Sequence, residues 1–406
     1  MNAPDGIGPN AGTRPATARL LALLITMTAI GPLSLNILMP AVPGLAATLV
    51  ADPATVQLTL SLYLLGLAAS QLVVGPLSDR FGRRPIVLVG LAVTAISSIA
   101  AIAATSIETL IVARTVQALG ASTGLVVGRA IIRDLYDREH AASMIGWVTM
   151  AMVVAPMVAP LIGGVLDTTL GWQAIFAFVA LVSAAALVGA TVALPETQAA
   201  PMMGGGLARF LDDTRLLLRA PQFVGYVLCA ATSSAIFFAF LGGAPHVVVS
   251  MMGRSSAVYG VWFAFTSVGY MAGNFSAARW SPRFGVDRMI WWGALITLAG
   301  ALCTIGAVVM LADGGPGTVF LPQILISFGS GMLLPNAVAG AVSVRPQCAG
   351  TASGITGFLQ MGLGAPAAQM VSHLLTDATT ALPMVLVMFG FAVASTAAFV
   401  GLVARR

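Results

Sequence analysis

Long apolar runs alternate with short polar intervals along the whole chain, and the lengths of those runs predict the elements. A helix needs about 20 apolar residues to cross a hydrocarbon core about 30 Å thick. Twelve stretches meet that requirement: 18–42, 55–76, 85–105, 108–131, 140–166, 172–195, 222–249, 255–280, 288–312, 316–344, 350–375 and 380–403. Gly and Pro fall inside many of them, which spanning helices tolerate because neighbouring groups satisfy the freed backbone. The first run follows Arg14 and Arg19, as a secretion signal would. A cleaved signal has a shorter apolar core and no series of spans behind it. The expectation is an all-α integral membrane protein whose residues 1–17 form a polar tail.

The polar intervals predict orientation and symmetry. With the N-terminus placed inside and the spans walked alternately, every arginine except Arg114 and Arg254 falls on the inner side. Arginine bias of this kind puts both termini in the cytoplasm. The longest polar interval, 196–221, lies near the midpoint and predicts a cytoplasmic linker between six-helix bundles at 18–195 and 222–403, with 404–406 as a cytoplasmic end. An internal repeat agrees with that division. "DRFGRRPIVLVG" at 79–90 returns as "PRFGVDRMIWWG" at 282–293, and "HAASM" with Pro156 returns as "GTASG" with Pro366. Two related bundles facing each other across a central cavity are the construction of alternating-access transporters.

Composition narrows the class further. Of 406 residues 58% are apolar and only 8% charged, against roughly 25% charged in soluble domains. Too few ionic groups exist to solvate a surface in water. The formal charge of +5 comes from nineteen basic residues, all arginine, clustered between spans rather than along a groove. That arrangement excludes a nucleic-acid interface. Cys229, Cys303 and Cys348 have no metal-ligand spacing and no disulfide framework. No HExxH or nucleophile elbow lies in any span, which argues against a membrane enzyme. No metal or cofactor is expected.

The motif with most chemistry is "GPLSDRFGRRP" at 75–85, between the second and third spans. Gly75 suits close helix approach, and Asp79 suits pairing with an arginine or a helix N-terminus. Gly82 suits a tight turn, Arg83 and Arg84 suit an anionic inner surface, and Arg80 belongs to the same loop as a candidate for its conformational role. This segment resembles the signature loop of the major facilitator superfamily. "ARTVQALGAS" (113–122) resembles the fourth-span motif of its drug:proton antiporter branch. The stretch 128–164, "FFAFLGGAPHVV" (237–248), "LPNAVAGA" (334–341) and "GTASGITGFLQMGLGA" (350–365) resemble the Bcr/CflA group of multidrug exporters.

The resemblance implies a monomeric secondary transporter in a bacterial inner membrane, exporting small amphiphilic compounds by proton antiport. It places Arg114 in the cavity, linked to proton coupling, with Gln117 one turn on. Its aromatic candidates are Phe237, Phe240, Tyr259, Trp262 and Phe265, and Asn36 and Asn336 complete the expected substrate site. Pro156 and Pro160 are expected to bend the fifth span for gating, or simply to kink it, with Gly163 and Gly164 allowing close packing.

One departure matters. Relatives carry an aspartate in the first span where "LSLNILMPAVP" has Asn36, and no other span holds a carboxylate near its middle. Asn cannot take up and release a proton, so a metabolite-specific carrier or uniporter without proton coupling is the alternative reading. His246 in the seventh span could carry a proton instead, or be a polar core residue. Arg114, about 9 Å of rise into its helix, either faces a partner or wet cavity or snorkels outward to Glu108.

Overall fold

A computed structural model describes residues 18–135, 138–198, 206–311 and 314–404. Helices account for nearly all of them: α1 (Ala18–Ile37), α2 (Val42–Thr48), α3 (Pro53–Phe81), α4 (Arg83–Ile102), α5 (Ile107–Leu135), α6 (Arg138–Leu170), α7 (Gln173–Ala193), α8 (Gly206–Leu218), α9 (Pro221–Pro245), α10 (Ser256–Phe284), α11 (Val286–Met310), α12 (Gly317–Ser343), α13 (Ala349–Leu375) and α14 (Leu382–Leu402). Twelve of these have 20 residues or more and coincide with the expected spans. Among the described residues, nine helices are apolar enough over 18 residues to cross a membrane on that criterion alone.

Local chemistry explains where the helices start, stop and bend. Pro40 and Pro43 lack N–H donors, so the first span does not run on as one helix. It breaks into a tight turn at Met39–Ala41 and the short α2. The carboxylate of Asp52 caps α3 by accepting from the N–H groups of Ala54 (2.9 Å) and Thr55 (3.3 Å), with Pro53 at the first helical position. The α3–α4 reversal takes one residue, Gly82 at φ +95°, and α10–α11 uses Gly285 at φ +85°. Glycine adopts that region without steric penalty. The two sit 203 positions apart, the offset of the sequence repeat.

Packing repeats as well. In the first half α1 packs on α5, α6 and α7, α5 on α3 and α4, and α4 on α7. In the second, α9 packs on α12, α13 and α14, α12 on α10 and α11, and α11 on α14. Each contact of one set has its counterpart in the other. The halves meet along two related pairs, α3 with α13 and α6 with α10. This is a pair of pseudo-symmetric six-helix bundles.

The interval expected to be only a polar linker contains α8. Leu217 is buried in the second half's core beside Phe223 and Tyr226. Asp213 on α8 accepts from Thr351 Oγ1 (3.2 Å) at the start of α13. An apolar residue and a carboxylate four positions apart thus tie the connecting helix to the second bundle.

Candidate functional site

Arg114 sits where five helices of the first half converge, with 1% of its surface exposed. Its Nη1 donates to the Ser34 carbonyl on α1 (2.9 Å) and to Gln117 Oε1 one turn along α5. Gln117 Nε2 donates to Ser98 Oγ on α4 (2.7 Å), which itself donates to the Thr94 carbonyl. The guanidinium lies 4.1 Å from the centre of the Tyr63 ring on α3 and 6.0 Å from that of Phe176 on α7. Desolvated cation–π contacts of this kind contribute about 2 kcal/mol. Arg114 Nε and Nη2 are buried without a hydrogen-bond partner, and among the described residues no carboxylate pairs with the group. The side chain points into the bundle and does not snorkel to Glu108. A carbonyl, an amide and aromatic faces take the place of a counter-ion.

Asn36 lies two residues from Ser34 on α1, on a different face. Going up that helix, Ile25, Ala29, Pro32 and Leu33 are half-buried, whereas Asn36 is buried. Its Nδ2 donates to the Pro32 carbonyl (2.8 Å), and its Oδ1 is buried without a partner.

The aromatic candidates divide. Phe240, Tyr259 and Phe320 are fully buried and pack together, Phe240 lying 5.3 Å from Phe320 and Tyr259 6.1 Å from it. They form the second half's core rather than an open lining. Trp262 borders this cluster at 6.0 Å from Phe320. Phe237 is the one half-buried residue in 229–245. Phe265 is 57% exposed and belongs to an α10 stripe of Val261, Val268, Met271 and Phe275, spaced as one helix face and turned to the surroundings. Asn336 is also engaged: its Oδ1 accepts from Ser281 Oγ (2.7 Å) and its Nδ2 donates to the Met332 carbonyl. His246 begins a wide-turned π-helical segment, His246–Met251, at the end of α9.

The bundles are sealed together at the end holding α2 and the start of α10. A Cβ on Gly164 would stand 2.6 Å from the Ser256 carbonyl oxygen, and one on Gly260 2.6 Å from that of Pro160. The backbones of α6 and α10 therefore touch there. Asp167 accepts from Ser256 Oγ (2.7 Å) across the same junction. On the other pair, Ser61 Oγ bonds Gln369 Oε1 (3.1 Å) and Gln369 Nε2 donates to the Ala54 carbonyl (2.8 Å). Pro156, further down α6, is half-buried.

At the opposite end the 75–85 motif is clamped. Arg83 pairs with Asp79 and with Asp134 of α5 (3.1 Å), and donates to Ser78 Oγ (2.7 Å). The backbone N–H groups of Arg83 and Arg84 donate to Glu196 (2.9 and 3.2 Å), and Arg84 Nη2 donates to the Thr191 carbonyl. Two expectations change here. Arg83 is 8% exposed and internally paired, so it holds the loop to α5 and not to a lipid surface. Gly75 is not needed for close approach, since a Cβ there would make only ordinary contact with Val126. Arg80 stacks over Phe81. Gly82 carries the turn as expected, with Glu196 packed where a side chain would go.

Burial alone would raise the Glu196 carboxyl. The N–H groups of Gln198, Arg83, Arg84 and Thr197 together outweigh that and hold it below the usual carboxylate range. A depressed folded value contributes stability above the ordinary value of about 4.3, lost only as pH falls through the folded one. Amide-exchange protection at Arg83 and Arg84 should persist as pH falls to the ordinary carboxylate range and be lost only below it. Loss of protection between neutrality and about pH 5 would contradict the clamp.

Sequence reasoning singled out Arg114 and Gln117 but missed Tyr63, Ser34 and Ser98, which complete their surroundings. It also missed Glu196 as the loop's acceptor and Gln369 as a bridge between halves. A polar residue in an apolar span was the available signal for Gln369; ordinary hydroxyls and aromatics offered none.

A family model described as Major Facilitator Superfamily matches residues 24–369. The chain is 31% identical over 355 residues to "Multidrug resistance protein D" of Escherichia coli, covering 86% of each. It is 28% identical over 383 residues to the "Bicyclomycin resistance protein homolog" of Haemophilus influenzae, covering 92% of this chain and 94% of that protein. A crystal structure of a D-xylose-proton symporter superposes with a TM-score of 0.76 over 95% of this chain and 97% of that one, at 13% identity. That last likeness speaks for the fold alone. With the model spanning most of the chain and the paired bundles already in view, the chain belongs to the Major Facilitator Superfamily and is a multi-pass membrane transporter, not an enzyme.

Proposed function

We propose that the protein exports small amphiphilic, drug-like compounds from the cytoplasm of a bacterium across its inner membrane by proton antiport. Both termini and the clamped loop lie in the cytoplasm, as the arginine distribution argues, and the sealed end faces outward. The observation that carries the transport reading is the junction of the bundles. Two pseudo-symmetric sets of helices meet along α3–α13 and α6–α10 and are closed at one end by glycine contacts and a few hydrogen bonds. Such a junction can rock open without unpacking either bundle. The drug-resistance names of the relatives support the substrate class.

In this reading Asn36 and Phe237 meet the substrate first, from α1 and α9. Arg114 and Gln117 stand behind Asn36 and stabilise its helix through Ser34. Phe240, Tyr259 and Trp262 back Phe237, and Asn336 acts through Ser281. Pro156, Pro160, Gly163 and Gly164 serve the rocking of α6, and the Asp79–Arg83–Asp134 cluster tethers the cytoplasmic loop.

A second reading is favoured by one specific observation: Asn36 occupies the place of the family's acidic residue. On that reading the protein is a metabolite-specific uniporter. Uptake of a drug panel into inverted membrane vesicles, with and without an imposed pH gradient, separates the two. Export by antiport predicts accumulation that collapses with the gradient and grows in Asn36→Asp. Equilibrating uptake indifferent to the pH gradient in both proteins would favour the uniporter.

A further inference from the structure

The sealed end contains a chamber of about 60 Å³ between the two bundles. The first bundle supplies Pro43 from α2 and Gln57 from α3. The second supplies Pro245, His246 and Ser250 from the end of α9 and its π-helical extension, and Ser372 from α13. Gln57 is 2% exposed and its Nε2 has no hydrogen-bond partner. The space is large enough for water, and a buried water needs two to four polar partners. An amide, an imidazole and two hydroxyls provide them.

The π-helical turn sets His246 in this chamber. Its widened hydrogen bonding, with Met252 N–H reaching the Val247 carbonyl (3.0 Å), follows immediately on Pro245. Insertions of this type are rare and are frequently found at functional positions.

His246 is the only titratable side chain among those lining the chamber. The segment α2 holds no titratable residue, and neither does α9 near its end apart from Cys229, which lies about five turns away. On α3 the carboxylate of Asp52 is committed to capping its own helix. His373 on α13 and Asp377 in the turn after it are exposed and are not among the lining residues. Tyr259 of α10 belongs to the aromatic core, and Arg254 beyond the π-helical segment is exposed. A neutral imidazole suits this set, accepting at one nitrogen and donating at the other. An imidazolium donates at both and, among the described residues lining the chamber, finds no anion.

We propose that His246 and its chamber form a proton-binding site, supplied from the outer solution, whose occupation unlocks the sealed end. His246 is half-buried in this chamber; an unpaired cation held there between the bundles is less well solvated than in water, and admitting more water by parting the halves relieves it. The proton therefore binds the open state more tightly than the sealed one, and shifts the population towards it. The coupling is reciprocal: opening at this end raises the site's affinity for protons. The inference rests on the proposed orientation, in which the sealed end faces outward.

The test reads the sealed end directly. Spin labels are placed at Val50→Cys and Met310→Cys, both highly exposed and on opposite halves, after Cys303→Ala removes the one exposed native cysteine. Distances are measured on the full chain in lipid nanodiscs between about pH 8 and about pH 5.5, spanning the ordinary histidine range. The open-to-sealed ratio should rise about tenfold on acidification, the order of a single coupled site. His246→Gln should remain sealed throughout. His246→Asn repeats the test if the glutamine variant does not fold. An unchanged pH response in either folded variant, or none in the parent, overturns the proposal. Ethidium accumulation in inverted vesicles forms a separate arm. If ethidium and the drug panel all fail to accumulate while His246-dependent opening is present, the exporter reading falls and the proton site stands. Accumulation without His246-dependent opening does the reverse.

Discussion

Arg114→Ala is expected to abolish concentrative transport while leaving the protein inserted in the membrane. The substitution removes the donor that joins α1 to α5 at Ser34 and the cation that lies on Tyr63 and Phe176. It leaves the Ser34 carbonyl and Gln117 Oε1 buried with fewer donors, at about 1–3 kcal/mol for each buried group left unmade. A loss of about 3 kcal/mol from the conformational cycle corresponds to a slowing of about a hundredfold. Arg114→Lys retains charge but not the planar fork that serves a carbonyl, an amide and an aromatic face at once. It should recover only a small part of the rate. Gradient-driven drug uptake into inverted vesicles, normalised to inserted protein, measures both variants. Wild-type rates in the alanine variant would remove the role assigned to Arg114.

Gly164→Leu should hold the sealed end open. The Cβ would fall against backbone, the Ser256 carbonyl and the Ala257 Cα, and backbone cannot rotate away as a side chain can. Closure would require α6 and α10 to separate by the thickness of a leucine, breaking the Asp167–Ser256 bond as well. A bias of about 5.5 kcal/mol turns a 99:1 population into 1:99, and a clash of this kind in a packed junction reaches that order. Label distances between positions 50 and 310 should shift wholly to the longer population at every pH, and transport should cease. A sealed distance with normal transport would show that the junction adapts, and that the glycine is dispensable.

The two variants probe different levels of legibility. Arg114 was visible in the sequence because ionic groups inside apolar runs are rare. Its partners were not visible, since Tyr63, Ser98 and Phe176 are unremarkable residues far along the chain. The aromatic set shows the opposite failure. Five rings on two neighbouring spans read as a lining, yet Phe240 and Tyr259 turn into the bundle core and Phe265 turns outward. At about 3.6 residues per turn each position rotates by about 100°, so composition places a residue on a span without placing it on a face. The loop motif shows a third case. Its glycine turn was legible from residue type, but its acceptor, Glu196, lies 113 positions from Arg83.

The sequence by itself determined the number and lengths of the spans, the sorting of arginines between their ends, and the repeat that makes the halves alike. Hydropathy, charge and backbone freedom at glycine act locally, so a window of some twenty residues contains them. Only the tertiary structure decided which bundles touch and through what: Gln369 on the Ala54 carbonyl, Gly164 on Ser256, a polar chamber at His246. Those contacts join positions as much as 315 residues apart, and they depend on the rotation and depth of each helix. Interior packing sets both to within ångströms, and no single segment carries that information.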